Sequence, residues 1–236
     1  MDHHCQLPEV VLFDLDDTIL RFTAGQPDAW RLALDSCLTD KGALEEMLRS
    51  IATSADEFWS DSQRAHWGRQ NMFEARRIVA ERALALFGVP GALARTIGDT
   101  MTRTKEDLVR PFEGALETLD VLLHRGHRLG LLTNGSGEFQ RRKLQRYDLE
   151  RRFELILVEG ELGYGKPDAR VFEKALAFFD LRPQETTMVG DRLSSDVFAA
   201  QAVGIPGVWH DCYGQGVPPD APMAPARVIR RIAELV

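Results

Sequence analysis

The segment Phe13-Asp14-Leu15-Asp16-Asp17-Thr18 sets carboxylates directly after an apolar run. On an extended chain, residues two apart point to one side, so Asp14 and Asp16 can serve one centre. Paired acids of this kind can attack an electrophile, carry a proton or hold a hard cation. Acidic residues also end strands and open turns, and the motif alone leaves that reading open.

Three further segments could contribute to such a centre. Leu131-Leu132-Thr133-Asn134-Gly135 puts a hydroxyl at the end of a second apolar run. A hydroxyl followed by backbone N–H groups is a neutral cradle for phosphate oxygens, although Thr-Asn-Gly is also an ordinary turn. Gly165-Lys166-Pro167-Asp168 precedes a helical pattern. Pro167 suits a first helical position, which would set Lys166 beside a helix N-terminus that favours anions; a solvated lysine fits the same sequence. Gly190-Asp191-Arg192 closes another apolar run, and Asp196 follows at a helix start. Magnesium takes oxygen ligands, usually one or two protein carboxylates, and helix capping is a role that Asp196 can hold alongside.

The elements that must position these residues follow from the apolar pattern. Short apolar runs at 10–13, 129–132, 155–158, 187–189 and 207–209 suit parallel strands buried on both faces. Helical patterns at 137–147, 168–179 and, less clearly, 194–203 alternate with the last four runs. This alternation predicts an α/β fold with a doubly wound parallel sheet. All four chemical segments then fall after strands or at helix starts, on one edge of the sheet, where open α/β sheets bind ligands.

Between the first and second runs the rhythm changes. Residues 21–110 show no strand-like run, while Met72, Ala75, Val79, Ala83 and Leu86 recur at helical spacing and Gly88-Val89-Pro90-Gly91 stops that helix. The pattern predicts an all-helical insert at 21–110 in a core made of 1–20 and 111–236. Between positions 64 and 82 it carries Arg64, Arg69, Arg76, Arg77 and Arg82 against Glu74 and Glu81. That run reads as a solvated helix face before it reads as an anion-binding surface. Trp59, Trp67 and Phe73 read as core before they read as stacking surfaces. Pro218-Pro219-Asp220-Ala221-Pro222 predicts a loop, followed by a short final helix at about 225–235.

Composition narrows the function classes. The 236 residues carry a formal charge of −7, a poor match to a nucleic-acid polymer. Cys5, Cys37 and Cys212 lie far apart without a C-x-x-C spacing, which argues against a disulfide framework or zinc site. No apolar run approaches the length needed to span a bilayer, and the start lacks a basic-then-apolar leader, so a cytoplasmic location is expected. His3 and His4 are terminal neighbours that read as a disordered end before a metal site. Oligomeric state is not legible.

Taken in order, Asp14-Leu15-Asp16-Asp17-Thr18, Thr133, Lys166 and Gly190-Asp191 with Asp196 resemble the four motifs of the haloacid dehalogenase-like hydrolases. The resemblance covers the core from Val10 to Trp209. It implies a Rossmann-like sheet of order 5-4-1-2-3 with an inserted helical cap that reads the leaving group. It implies a phosphatase acting on a small phosphorylated metabolite. In that chemistry Asp14 is the nucleophile, and Asp16 protonates the leaving alcohol and then activates water. Mg²⁺ is held by the Asp14 carboxylate, the Asp16 carbonyl and Asp191, with Asp196 supporting. Thr133, Asn134 and Gly135 bind phosphate oxygens, Lys166 offsets anionic charge, and Arg192 is a possible substrate contact.

Asp16 chooses between branches of the family. Dehalogenases resembling this fold generally lack an acid at that position, because a halide leaves without a proton and an alkoxide does not. The Thr133-Asn134-Gly135 run with Gln140 and Lys143 resembles nucleotide and acylneuraminate phosphatases. A sugar-phosphate phosphomutase and a non-catalytic binding relative are the alternatives.

Overall fold

A computed structural model describes residues 7–236; His3, His4 and Cys5 lie outside them. The chain divides into two compact units, one running up to Arg21 and resuming at Pro111–Val236, the other Phe22–Arg110.

The first unit is built on a six-stranded sheet. Its strands are β1 (Val10–Phe13), β4 (Arg128–Thr133), β5 (Leu155–Val158), β6 (Thr186–Gly190), β7 (Gly207–His210) and β8 (Arg227–Ile229). Two-residue strands, β2 (Leu20–Arg21) and β3 (Arg110–Pro111), mark the chain crossings between the units. The main sheet runs β5-β4-β1-β6-β7-β8, all parallel. All four residues of β1 and all five of β6 are buried. Covering both faces of a parallel strand leaves no solvated side, which is why these runs are apolar throughout rather than alternating.

Register sets the site. Phe13 of β1 pairs with Leu131 of β4 and Val189 of β6, so the three parallel strands end within two residues of one another at the same sheet edge. Asp14, Thr133 and Asp191 therefore emerge from neighbouring strands at the carboxyl edge. Leu12, Leu132, Phe172, Phe179 and Met188 pack beneath that edge on one face. Each such side chain contributes about 1.5–3 kcal/mol on burial, so the strand ends are held on a stiff base.

Three expectations fail in detail. Residues 225–235 do not form one helix: β8 joins the sheet beside β7, and a 3-10 turn spans Ile232–Leu235. Backbone pairing with an open sheet edge outweighs the weak local helix pattern. Residues 194–203 are not one α-helix either, because a π-helical turn at Leu193–Phe198 leads into α10 (Ala199–Ala202). Pro167 is not the first residue of a helix: Asp168 caps α9 (Ala169–Phe179), its carboxylate accepting from the Arg170 N–H, and the Lys166–Pro167 bond is cis.

The second unit is helical. It contains α1 (Gln26–Cys37), α2 (Leu44–Ser60), α3 (Ser62–Gln70), α4 (Met72–Ala85) and α5 (Gly91–Leu108). Trp30, Leu34, Ile51, Phe58, Leu84 and Ile97 form much of its core. A Cβ on Gly98 of α5 would stand 2.9 Å from the Arg76 carbonyl oxygen of α4. Glycine costs about 1 kcal/mol against alanine inside a helix, and here it permits the close approach of these two helices.

The arginine run sorts into different environments. Arg77 grips Asp99 at 2.6 and 2.8 Å and also reaches Glu74. Arg82 is exposed and Arg64 meets Asp61. Arg76 alone among the five is buried. Trp59 packs edge-on against Phe58, Trp67 is largely exposed, and Arg103 lies over the Phe73 ring. Cys37 and Cys212 are free thiols. Among the described residues no helix is long and apolar enough to cross a membrane.

Candidate active site

At the carboxyl edge of the sheet three acids converge. Asp14 follows β1, Asp191 follows β6, and Asp196 lies one turn into the π-helical segment. One carboxylate oxygen from each lies within 4.8 Å of the others. Asp14 and Asp196 are buried, and Asp191 is half-buried. Gly190 makes this crowding possible: a Cβ there would sit 2.4 Å from the Asp196 Cβ. Asp196 also accepts the Arg192 N–H at 2.9 Å, so capping and membership of the cluster coexist.

Lys166 enters the cluster from the loop before α9. Its ammonium donates to Asp14 Oδ1 at 2.6 Å and lies 2.8 Å from Asp196 Oδ1. Burial opposes its charge, but the two carboxylates outweigh that and raise its pKa above the ordinary lysine range. Lys166 is therefore a permanent cation.

The acids pay for this proximity in proton affinity. Burial, opposed by Lys166 and reinforced by Asp196, pushes Asp14 up to about 7. Burial, with Asp14, Asp196 and Asp17 nearby, pushes Asp191 up to about 9. Carboxylates raised in this way are short of positive charge. A hard divalent cation with oxygen ligands fits the deficit and the donor set.

The phosphate-cradle segment is ordered by side chains. Asn134 Oδ1 accepts the Lys166 N–H at 2.9 Å, and its Nδ2 donates to the Lys166 carbonyl at 2.6 Å. This pair of bonds ties the end of β4 to the loop that carries the lysine. The Gly135 N–H donates to Glu159 Oε2 at 2.8 Å. Thr133 is buried, and its hydroxyl accepts from Gln140 Nε2 at 2.8 Å. Arg192 is exposed, and its backbone rather than its side chain meets Asp196.

Asp16 lies on the Thr133 side. Lys143 Nζ reaches both its oxygens, at 2.6 and 2.5 Å, and Gln140 Nε2 donates to Oδ2 at 3.1 Å. Both partners stand on α7 (Gly137–Arg146), three residues apart and on one helix face.

Several neighbours of the site have no individual role assigned by the sequence, although Thr18 stands in the first motif. Thr18 is fully buried and its hydroxyl approaches Asp14 Oδ2 at 3.4 Å and Asp191 Oδ1 at 3.5 Å. Trp209 Nε1 donates to the Asp191 carbonyl at 2.7 Å, and Tyr213 donates to Asp17 Oδ1 at 2.7 Å. Thr18 stands four residues after Asp14, the only local cue among them.

Known proteins match this chain along most of its length. The family model for haloacid dehalogenase-like hydrolases matches residues 11–209. A phosphoserine phosphatase of Thermus thermophilus is 30% identical, with 92% of each chain covered. A glyceraldehyde 3-phosphate phosphatase of Pyrococcus furiosus is 31% identical over 85% of this chain and 80% of its own. Among solved structures, the magnesium-bound hydrolase YfnB of Bacillus subtilis superposes with a TM-score of 0.76 at 24% identity, covering 98% of this chain and 97% of that one. That last likeness speaks for the fold alone.

Proposed function

Because the chain belongs to the haloacid dehalogenase-like hydrolases, we propose that it is a Mg²⁺-dependent phosphatase that cleaves a small phosphate monoester through a phosphoryl group carried on Asp14. The phosphatase names of the relatives support the reaction class.

The observation that carries the reading is the second acid. Asp16 stands two residues after the buried Asp14 and is tied through Gln140 to Thr133. A phosphate ester needs a nucleophile, a proton for its leaving alcohol and donors for its oxygens; these three residues supply one of each.

The family resemblance and the arrangement of the side chains support the following roles. The Asp14 carboxylate attacks phosphorus while Asp16 gives its proton to the departing alkoxide. Asp16, now a carboxylate, takes a proton from the water that cleaves the acyl phosphate and restores Asp14. The Thr133 hydroxyl binds a phosphoryl oxygen, aided by the Asn134 backbone. Lys166 keeps Asp14 close to an anion that its own charge would repel. The Asp14 and Asp191 carboxylates and the Asp16 carbonyl, with Asp196 in support, would hold Mg²⁺, which supplies positive charge against the phosphoryl oxygens. Phe22–Arg110 takes the part of the cap that selects the leaving group.

Hydrolysis of p-nitrophenyl phosphate tests this directly. Turnover should require added Mg²⁺ and vanish with chelator. Turnover that persists in excess chelator contradicts the assignment.

A further inference from the structure

Gln140 and Lys143 lie outside the four motifs, yet among the described residues they make every side-chain hydrogen bond to the Asp16 carboxylate. Among the described residues Asp16 Oδ1 accepts from Lys143 alone, and Oδ2 accepts from Lys143 and Gln140. Both partners are buried, while Asp16 itself is partly open.

Gln140 is used in one direction. Its Nε2 faces three acceptors, Asp16 Oδ2, the Thr133 hydroxyl and the Asn134 carbonyl, at 3.1, 2.8 and 2.6 Å. Its Oε1 is buried without a hydrogen-bond partner among the described residues. Turning the amide over would bring Oε1 against a carboxylate and a carbonyl, so the donor end must face the site. A buried acceptor left unsatisfied is uncommon and marks a place where another requirement prevails. Here that requirement is the donor end. Because Thr133 accepts from Gln140, its own hydroxyl proton is left to point elsewhere, toward a phosphoryl oxygen.

We propose that Gln140 and Lys143 are positioning residues for the proton-transfer step: they anchor Asp16 to α7 so that Oδ1, the less encumbered oxygen, meets the leaving group, and they turn the Thr133 hydroxyl toward the phosphate. This rests on the reading of Asp16 as the general acid and base. Two features make the anchor rigid. Gln140 and Lys143 share one face of α7, and that helix is capped by Ser136, whose hydroxyl accepts the Phe139 N–H. Without the anchor Asp16 would sample other rotamers, and a displacement of about 1 Å can cost on the order of a hundredfold in rate.

The consequence is selective. A nitrophenolate leaves without a proton, whereas an ordinary phenolate, whose conjugate acid has a pKa of about 10, benefits from one. The test compares kcat/KM for phenyl phosphate and p-nitrophenyl phosphate in the Mg²⁺-loaded protein, for wild type, Lys143→Met and Gln140→Leu. The expected result is a loss for phenyl phosphate at least tenfold greater than for p-nitrophenyl phosphate, with Lys143→Arg recovering part of the difference. Equal losses on the two esters would show a merely structural role and overturn the proposal, as would no loss. Should Lys143→Met fail to fold, Gln140→Leu decides by the same ratio. A wild-type protein inactive on both esters would instead overturn the phosphatase reading itself.

Discussion

Two of the buried cations, Lys166 in one unit and Arg76 in the other, are held in opposite ways. Lys166 in the α/β unit touches two carboxylates, and its pKa is raised although burial opposes its charge. Arg76 in the helical unit is 5% exposed, and burial pushes its pKa down to about 10 against the opposing pull of Glu106. No carboxylate among the described residues pairs with Arg76. The difference separates a charge kept for a site from a charge that the surrounding helices merely tolerate. Around Lys166 the acids outnumber the base, so that locality gains from further positive charge. Around Arg76 burial outweighs the attraction of Glu106, so removing the charge relieves the locality.

The contrast is tested most severely at Lys166. Replacing Lys166 with Met leaves Asp14 and Asp196 buried without their cation. Breaking a buried pair from one side costs about 3–5 kcal/mol. A fall in ΔG of that size should appear in urea unfolding of the metal-free protein, along with a loss of phosphatase turnover on the order of a hundredfold or more. A variant of unchanged stability would mean that the cluster does not depend on its lysine.

Proton linkage gives an intermediate effect. Asp14 at about 7 and Asp191 at about 9 lie above the ordinary aspartate value of 3.8. Above pH ~4 the folded state therefore binds more protons than the unfolded state, and stability falls as pH rises toward ~9. A bound Mg²⁺ would favour the ionised acids and oppose that fall. The Tm gap between Mg²⁺-loaded and chelator-treated samples should widen from about pH 5 to about pH 9. A gap that is constant or narrows with pH would detach the acids from metal binding.

Arg76 should give the smallest effect, and of the other sign. Arg76→Met keeps a long apolar stem and removes a poorly compensated buried charge, so stability should be unchanged or raised by up to about 2 kcal/mol. A loss of several kcal/mol would place Arg76 in the same class as Lys166 and erase the comparison.

Much of the α/β unit was legible because its signals are local. Each buried strand is a short apolar run, and Asp14, Thr133 and Asp191 each stand at the end of one. Where a longer-range contact decides, the sequence falls silent. Arg227-Val228-Ile229 is too short for a period to show, and only its pairing with β7 makes it a strand. The π-helical turn has no signature distinct from an α-helix. Gln140 and Lys143 stand 124 and 127 residues from Asp16, so their spacing reveals a shared helix face but not what that face grips. In the helical unit the arginine run reads as uniform, yet Arg77 pairs with Asp99 on another helix, while among the described residues Arg76 pairs with no acid and only feels the charge of Glu106. Local charge counting cannot distinguish them, because the deciding partner is 22 residues away.

The central claim is that Asp14, beside its permanent cation, carries the phosphoryl group. Rapid acid quenching during turnover of a radiolabelled phosphate ester with Mg²⁺ tests it most directly. The label should be found on a peptide containing Asp14, and Asp14→Asn should abolish both the label and turnover, by a factor on the order of 10³ or more. Turnover that survives Asp14→Asn, or steady hydrolysis with no protein-bound label at any quench time, would contradict it.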